Sequence, residues 1–300
     1  MTLFEKARGP GGRIASKRLD NAFVDMGAQY FTVRNERFRQ FLSETAGNSV
    51  AVWDARLRYE TEAGEFEPFP QDTRWVAIPR MSALARALAE PLDVRSGVPV
   101  RAAERADNGW FLETDSGAEG PYAALVVTLP PEQARMLLPG QAPQLNDFSM
   151  NPCWAVAACF TQSLETGFDG ASLRDKALGW VARNTSKPGR AAADSGEWWI
   201  LHAPPDWSCE QLETAPDDVA RLLVGRFRER FGIQDDAAHW LAHRWRYARP
   251  APNCPAPGCL SLTEQRLGFC GDWLWGGRVE GAFASADKLV SCWRDAGLIS

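Results

Sequence analysis

A short β-prone run, Thr2-Leu3-Phe4, ends in the carboxylate Glu5, and a basic glycine-rich turn follows at once, Arg8-Gly9-Pro10-Gly11-Gly12-Arg13. That order suits the second strand of a nucleotide-binding unit, where a strand-end carboxylate holds a ribose hydroxyl. Glycines let backbone amides approach a phosphate, and Arg13 adds charge-assisted hydrogen bonds. Near the other end, Asp272 follows an apolar strand and a glycine, placed to accept from a polyol hydroxyl. A helix opening near Gly281 carries roughly half a positive charge at its N-terminus, which stabilises electron density on a ring set over it. Each feature also has a plain structural reading: a polar strand end, a surface loop, a Gly-Asp turn and a capping glycine.

His239 and His243 stand four apart, so on a helix they would share a face. Neither a Glu beside His239 nor a third ligand accompanies them, so a pocket or core role for His243 is expected and no metal site. Cys254 and Cys259 lie five apart in a Pro-rich loop with no second pair to complete a zinc site. Seven scattered cysteines read as reduced thiols in a cytoplasmic protein. Only five of the 33 basic residues are lysines. Of these, Lys187 sits in "NTSKPGR", which reads as an exposed turn, and Lys176 in a polar loop.

These residues need a scaffold, and 300 residues with 45% apolar content suffice for one large domain or two ordinary ones. The net charge of −5 argues against a nucleic-acid binder. No apolar run approaches the roughly 20 residues of a membrane span, and no secretory signal opens the chain. Phe38, Phe41 and Leu42 predict an amphipathic helix over 34–45. Residues 50–78 read as aromatic strands broken by a turn at Ala63-Gly64, and Ser82 as the cap of a helix through Leu84 and Leu88.

Strands follow over 94–114, turning at Asp107-Asn108-Gly109, then a buried apolar strand at 124–129 that runs through two prolines into a helix. The tryptophan-rich middle predicts strands near 153–161 and 197–202. A helix over 217–231 is expected to bury Val219, Leu222, Leu223, Phe227 and Phe231. After a Pro-rich linker, 248–258, come a strand at 267–270 and the last helix. Nucleotide-site signals lie at both ends with different material between them, so one domain is discontinuous and a second is inserted into it.

Glu5, the Gly-Gly-Arg turn, "DMGAQYF", "VPV", "VVTLPPEQA" and "CGDWLWGGRVEGAFASA", in that order, resemble the flavin-containing amine-oxidase superfamily. "DMGAQYFTVR", "WVARNTSKPGR", "WWILHAPPDWS" and "AHRWRYARP" are similar to its bacterial renalase branch. The resemblance implies an α/β fold: a discontinuous FAD-binding Rossmann-like domain (1–45, 80–142 and 260–300) and a mixed-sheet α+β substrate domain (46–79 and 143–259). It implies that Glu5 binds the adenosine ribose and Arg13 contacts the flavin or pyrophosphate. Gln29 and Tyr30 would lie along the flavin, and Val100 would pair with adenine through its backbone. Asp272 would hold the ribityl-pyrophosphate region, and Val279, Glu280 and Gly281 would face the N1/O2 edge.

On the substrate side it implies Trp180, Arg183, Asn184, His243 and Trp245. The implied activity is oxidation of the 2- and 6-dihydro isomers of NAD(P)H to NAD(P)+ by hydride transfer to flavin N5, dioxygen being reduced to peroxide. A flavin amine oxidase is the alternative. Relatives of that kind place a lysine near flavin N5, and neither Lys176 nor Lys187 stands in a matching segment. Such proteins also carry a strand, a Gly-x-Gly-x-x-Gly turn and a helix ahead of the strand ending in Glu, and no Gly-x-Gly-x-x-Gly occurs in the chain. Two readings follow: a start upstream of Met1, which is preferred, or a natural degenerate form. A flavin-free remnant that binds a partner is the non-enzymatic alternative.

Overall fold

In the computed structural model, which describes residues 1–19, 22–190 and 196–299, a seven-stranded mixed sheet occupies much of the chain's second half. Its order is His239–Pro250, Met150–Phe160, Glu197–His202, Trp180–Arg183, Gly170–Ser172, Leu57–Glu60, Phe66–Pro68. The long strand Met150–Phe160 has no polar alternation because both its faces are covered. Trp154, Val156, Ala158 and Phe160 pack with Val219, Leu223 and Phe227 of the helix Pro216–Phe231. Ala155, Ala157 and Cys159 meet Val24 and Met26 instead. Period-two geometry thus separates a helix-packed face from a face closed by the N-terminal segment.

The nucleotide-binding half consists of two parallel fragments. Thr2–Glu5 pairs with Asp93–Ser96, and Leu125–Val127 pairs with Leu267–Phe269, which also takes antiparallel Leu260–Leu262. Among the described residues, Thr2–Glu5 and Leu125–Val127 each keep one edge without a strand partner. The apolar run at 124–129 was expected to be buried, yet Val126 is 44% exposed and Leu3 37%. Nothing described covers those side chains, which leaves apolar surface in water. Beneath both fragments lies one core containing Trp110, Leu138, Leu145, Phe269 and Trp273.

Three local expectations change. Ser82 is the first helical residue of Ser82–Ala89 and caps nothing; its hydroxyl accepts from Arg80 Nε at 3.1 Å. Leu222 is 52% exposed, because the buried stripe of its helix runs through Val219, Ala220, Leu223, Val224 and Phe227. His239 and His243 lie on the strand His239–Pro250, not on a helix. Four residue steps along the strand separate them by about 13 Å, too far to share one metal ion.

Candidate active site

Strand register assembles the site face. Trp180 pairs with His202, His202 with Ala155, and Ala155 with His243, giving a row across four adjacent strands. Trp245 lies two residues beyond His243 on the same face. Arg183 falls on the opposite face, paired with Trp199. Its guanidinium sits over the Trp199 ring and bridges Glu197 at 3.0 Å and Asp169 at 3.7 Å. The structure therefore separates Arg183 from the other substrate-side candidates and engages it in holding the sheet.

The segment 26–30 lies over this face. Met26 O accepts from Trp245 Nε1 at 2.9 Å and lies 3.1 Å from His202 Nε2. A carbonyl can only accept, so the His202 proton is assigned to Nε2. Burial pushes the His202 pKa down to about 3, which keeps this ring neutral. His243 stacks edge-on to Trp245 at 4.3 Å, and burial, with Lys17 nearby, lowers its pKa. His243 also lines a cavity of about 420 Å³ with Lys6, Trp154 and Arg246. At the other end of the segment, Tyr30 packs against Trp180 at 5.8 Å and Trp53 at 6.2 Å.

A buried charge cluster fixes this segment from behind. Asp25, Lys187 and Arg190 have fully buried side chains, with Lys187 Nζ 3.3 Å and Arg190 Nη2 2.7 Å from the same Asp25 oxygen. The other carboxylate oxygen accepts from Ser16 Oγ at 2.7 Å and Met81 N at 3.0 Å. Burial alone would raise the Asp25 pKa, but the two cations and these hydrogen bonds together hold it below the usual carboxylate range. Burial lowers Lys187 to about 8, against the pull of Asp25.

Lys187 donates to Gln29 Oε1 at 2.9 Å, while Gln29 Nε2 donates to Gly27 O at 2.9 Å and to Asp25 O. Asn184 joins the cluster by accepting from Asp25 N at 3.2 Å and donating to Phe23 O at 2.8 Å. The turn expected to expose Lys187 is buried because Gly189 lies against Pro79, where an added Cβ would sit 2.8 Å from Cα. Sequence reasoning missed Asp25, Arg190 and His202 altogether. The one available signal was a carboxylate inside the apolar run "AFVDM".

Gly27 admits no side chain, since a Cβ there would lie 1.9 Å from Arg13 O, the acceptor of Ala28 N. Gly27→Ala is expected to displace the Arg13 turn and cost about 3 kcal/mol or more, read as a lower urea midpoint. An unchanged midpoint would show that this approach is not a constraint.

The nucleotide-side residues converge from both ends of the chain. Arg13 forms a bidentate pair with Asp272, at 2.8 and 2.5 Å, across 259 positions. Glu5 Oε1 accepts from Ala7 N at 2.7 Å and shapes the turn, leaving its second oxygen for a ligand. Val100 pairs with Thr114 in an edge strand whose outer side has no strand partner among the described residues. The helix Val279–Asp295 has no side-chain cap, so its first-turn N–H groups at Val279, Glu280 and Gly281 are available donors. Glu280 turns its carboxylate away, accepting from Arg34 N at 2.7 Å and Asn35 N at 2.6 Å.

Free N–H donors at a helix start suit the acceptor-rich edge of a flavin, and the Glu5 carboxylate suits a ribose, so the residues present fit FAD. A split parallel sheet bearing this site, joined to a mixed seven-stranded sheet, defines a two-domain FAD-dependent oxidoreductase. The chain belongs to the family of flavin containing amine oxidoreductases, which it matches over residues 46–290, and residues 1–45 match an NAD(P)-binding Rossmann-like domain.

Its fold is similar to that of a protein described as a protoporphyrinogen oxidase from Exiguobacterium sp. 255-15, with TM-score 0.79 and 13% identity over 98% of this chain and 93% of that one. It is also similar to putrescine oxidase: a triple mutant redesigned in cofactor binding (TM-score 0.71, 12% identity, 98% and 93% covered) and the wild type bound to putrescine (0.70, 11%, 98% and 93%). At these identities the likeness is one of fold. No helix among the described residues is long and apolar enough to cross a membrane.

Proposed function

We propose that the protein oxidises the 2- and 6-dihydro isomers of NAD(P)H to NAD(P)+, with dioxygen as the acceptor that yields hydrogen peroxide. FAD supplies the hydride acceptor, N5. In this reading residues 1–45, 80–142 and 260–300 serve the cofactor, and 46–79 with 143–259 serve the substrate. Glu5, Arg13, Val100, Asp272 and the first turn of the last helix hold FAD, while Gln29 and Tyr30 line its ring. Trp180, His243 and Trp245 on the site face exclude water and offer flat surfaces to a nicotinamide. Asn184 keeps the 23–25 backbone in place.

One observation supports this substrate class above others. Beside the Tyr30–Trp180 pair, a cavity of about 590 Å³ is lined by Arg56, Arg58, Phe69, Asp72 and Arg74. Three guanidiniums against one carboxylate suit a phosphate-bearing dinucleotide and oppose a protonated amine. Arg74 lies over both the Tyr30 and Phe69 rings, 5.6 and 5.3 Å from their centroids. Hydride transfer from a stacked dihydropyridine needs alignment more than an acid or base, which fits a face whose His202 is held neutral.

The test is anaerobic mixing of the FAD-loaded protein with each dihydronicotinamide isomer and with simple amines, following the flavin absorbance. Bleaching by the 2- and 6-dihydro isomers is expected. Bleaching by amines alone would overturn the assignment in favour of an amine oxidase.

A further inference from the structure

The C-terminal helix Val279–Asp295 is held by residues 257–261 between its positions 285 and 293. Lys288 Nζ donates to Pro257 O at 2.7 Å, Ser285 Oγ donates to Gly258 O, and Trp293 Nε1 donates to Ser261 Oγ at 3.0 Å. Between these contacts Cys259 faces Leu289, Cys292 and Trp293 in one small apolar cluster. All three thiols there, Cys259, Cys270 and Cys292, are free. Cys292 packs against the cluster that holds Cys259, near enough for the two thiols to act on each other electrostatically. Cys259 and Cys270 are buried, whereas Cys292 is half-exposed. The pair therefore joins an outer thiol that solvent reaches to an inner one that it does not.

We propose that Cys292 and Cys259 form a peroxide-driven disulfide that fastens the last helix to the 257–261 segment. The Cys292 thiol gives up its proton and its sulfur attacks one peroxide oxygen; the O–O bond breaks, the departing hydroxide takes that proton and leaves as water, and Cys292 becomes a sulfenic acid. Cys259 then attacks the Cys292 sulfur, the S–O bond breaks, and a second water leaves. In sum, two thiols and one hydrogen peroxide give one disulfide and two waters. Closure brings the two sulfurs from packing within one cluster to about 2.05 Å. The step concerns added peroxide and stands whether or not the substrate assigned above is correct.

Burial pushes the Cys259 pKa up to about 11; Cys292 beside it adds to this, and the Lys288 ammonium offsets part. Cys270, also raised to about 11 by burial with Cys259 adding to it, lies just past the end of the neighbouring strand Leu267–Phe269. The resolving thiol is thus mostly protonated at neutral pH, so closure is slow and accelerates in mild alkali.

The test is a hydrogen peroxide titration of the FAD-loaded protein followed by tryptic mass spectrometry. Peptide 247–266 carries Cys259, and peptide 289–294 carries Cys292. The expected product is these two peptides linked with loss of two hydrogens, with fragment ions placing the bond at Cys259 and not Cys254. The link is expected to vanish in Cys292→Ser and in Cys259→Ser and to persist in Cys270→Ser. Over-oxidation of Cys292 to sulfinic acid without the link, a Cys259–Cys270 bond, or an intermolecular Cys292 dimer would each overturn the proposal.

Discussion

Asp25→Ala is expected to destabilise the protein by about 3–5 kcal/mol, whereas Lys187→Met costs only about 1 kcal/mol, for the Gln29 Oε1 acceptor it leaves unpaired. The asymmetry follows from counting charges in the buried cluster. One carboxylate serves two cations, Lys187 and Arg190, and all three side chains are fully out of water. Removing Lys187 leaves a one-to-one ion pair of Asp25 and Arg190, with bonds at 3.1 and 2.7 Å. Removing Asp25 leaves two buried cations with no counter-ion, and it frees Ser16, Met81 N and Arg190 from a shared acceptor. Chemical denaturation of the two variants at pH 7 checks this. Equal losses for both would show that the cluster does not act as a two-to-one charge assembly.

A pH dependence belongs to the same cluster. Lys187 releases its proton near 8 when folded and near 10.5 when unfolded. Between those values the unfolded chain binds more protons, so this residue makes stability rise with pH across that window. Below about 8 both states are protonated and the residue contributes no slope. Asp25 gives a slope of the same sign in the acid range: its folded pKa is depressed below 3.8, so its contribution is complete above that value and is lost as pH falls further. Lys187→Met is therefore expected to remove the alkaline rise and leave the acid limb unchanged.

Residues at the two ends of the chain were legible as a set because their order carries the information. Glu5 ends a strand, Arg13 closes a glycine turn, and Asp272 follows the strand Leu267–Phe269. The structure adds that Arg13 and Asp272 bind each other, a contact no local pattern reveals. Elements with clear periods, such as 36–46 and 216–231, were equally readable. The face of the sheet was not. Trp180, His202 and His243 share a face only through antiparallel register, and Arg183 leaves it because it stands an odd number of residues from Trp180. In "NTSKPGR" the turn was read correctly and its environment was not, because burial depends on Pro79 and Trp53 from elsewhere in the chain. The arginines of the cavity gave no signal either; they come from the strand Leu57–Glu60 and two loops, with no spacing that marks them.

That cavity is the basis of the second large effect, a selective loss of affinity for phosphate-bearing substrate. Its arginines are not equivalent. Arg56 is neutralised by Asp169, through Nε at 3.1 Å, and Asp72 is taken by Arg34 at 2.6 Å. Arg74 donates only to the backbone carbonyls of Asp72 and Pro70, and its buried Nε has no partner. Arg58 has no carboxylate partner among the described residues. Arg58 and Arg74 are therefore the two uncompensated charges, and each phosphate bond lost is worth about 1.5–3 kcal/mol, or roughly ten- to a hundredfold in KM.

Arg58→Gln is the cleaner variant, because Arg74 also packs on Tyr30 and Phe69 and its loss disturbs the aromatic wall. With dihydro-NAD(P) isomers, Arg58→Gln is expected to raise KM by that factor with kcat nearly unchanged, since the charge lies away from the reacting ring. Wild-type KM should rise with ionic strength, and the variant's should do so less steeply. An N-alkyl dihydronicotinamide without phosphates provides the control, and its KM should not move. Equal losses for both substrates would mean that Arg58 supports the cavity wall without reading phosphate. Bleaching by the dihydro isomers at unaltered KM in Arg58→Gln would keep the oxidase assignment and move the phosphate to another surface.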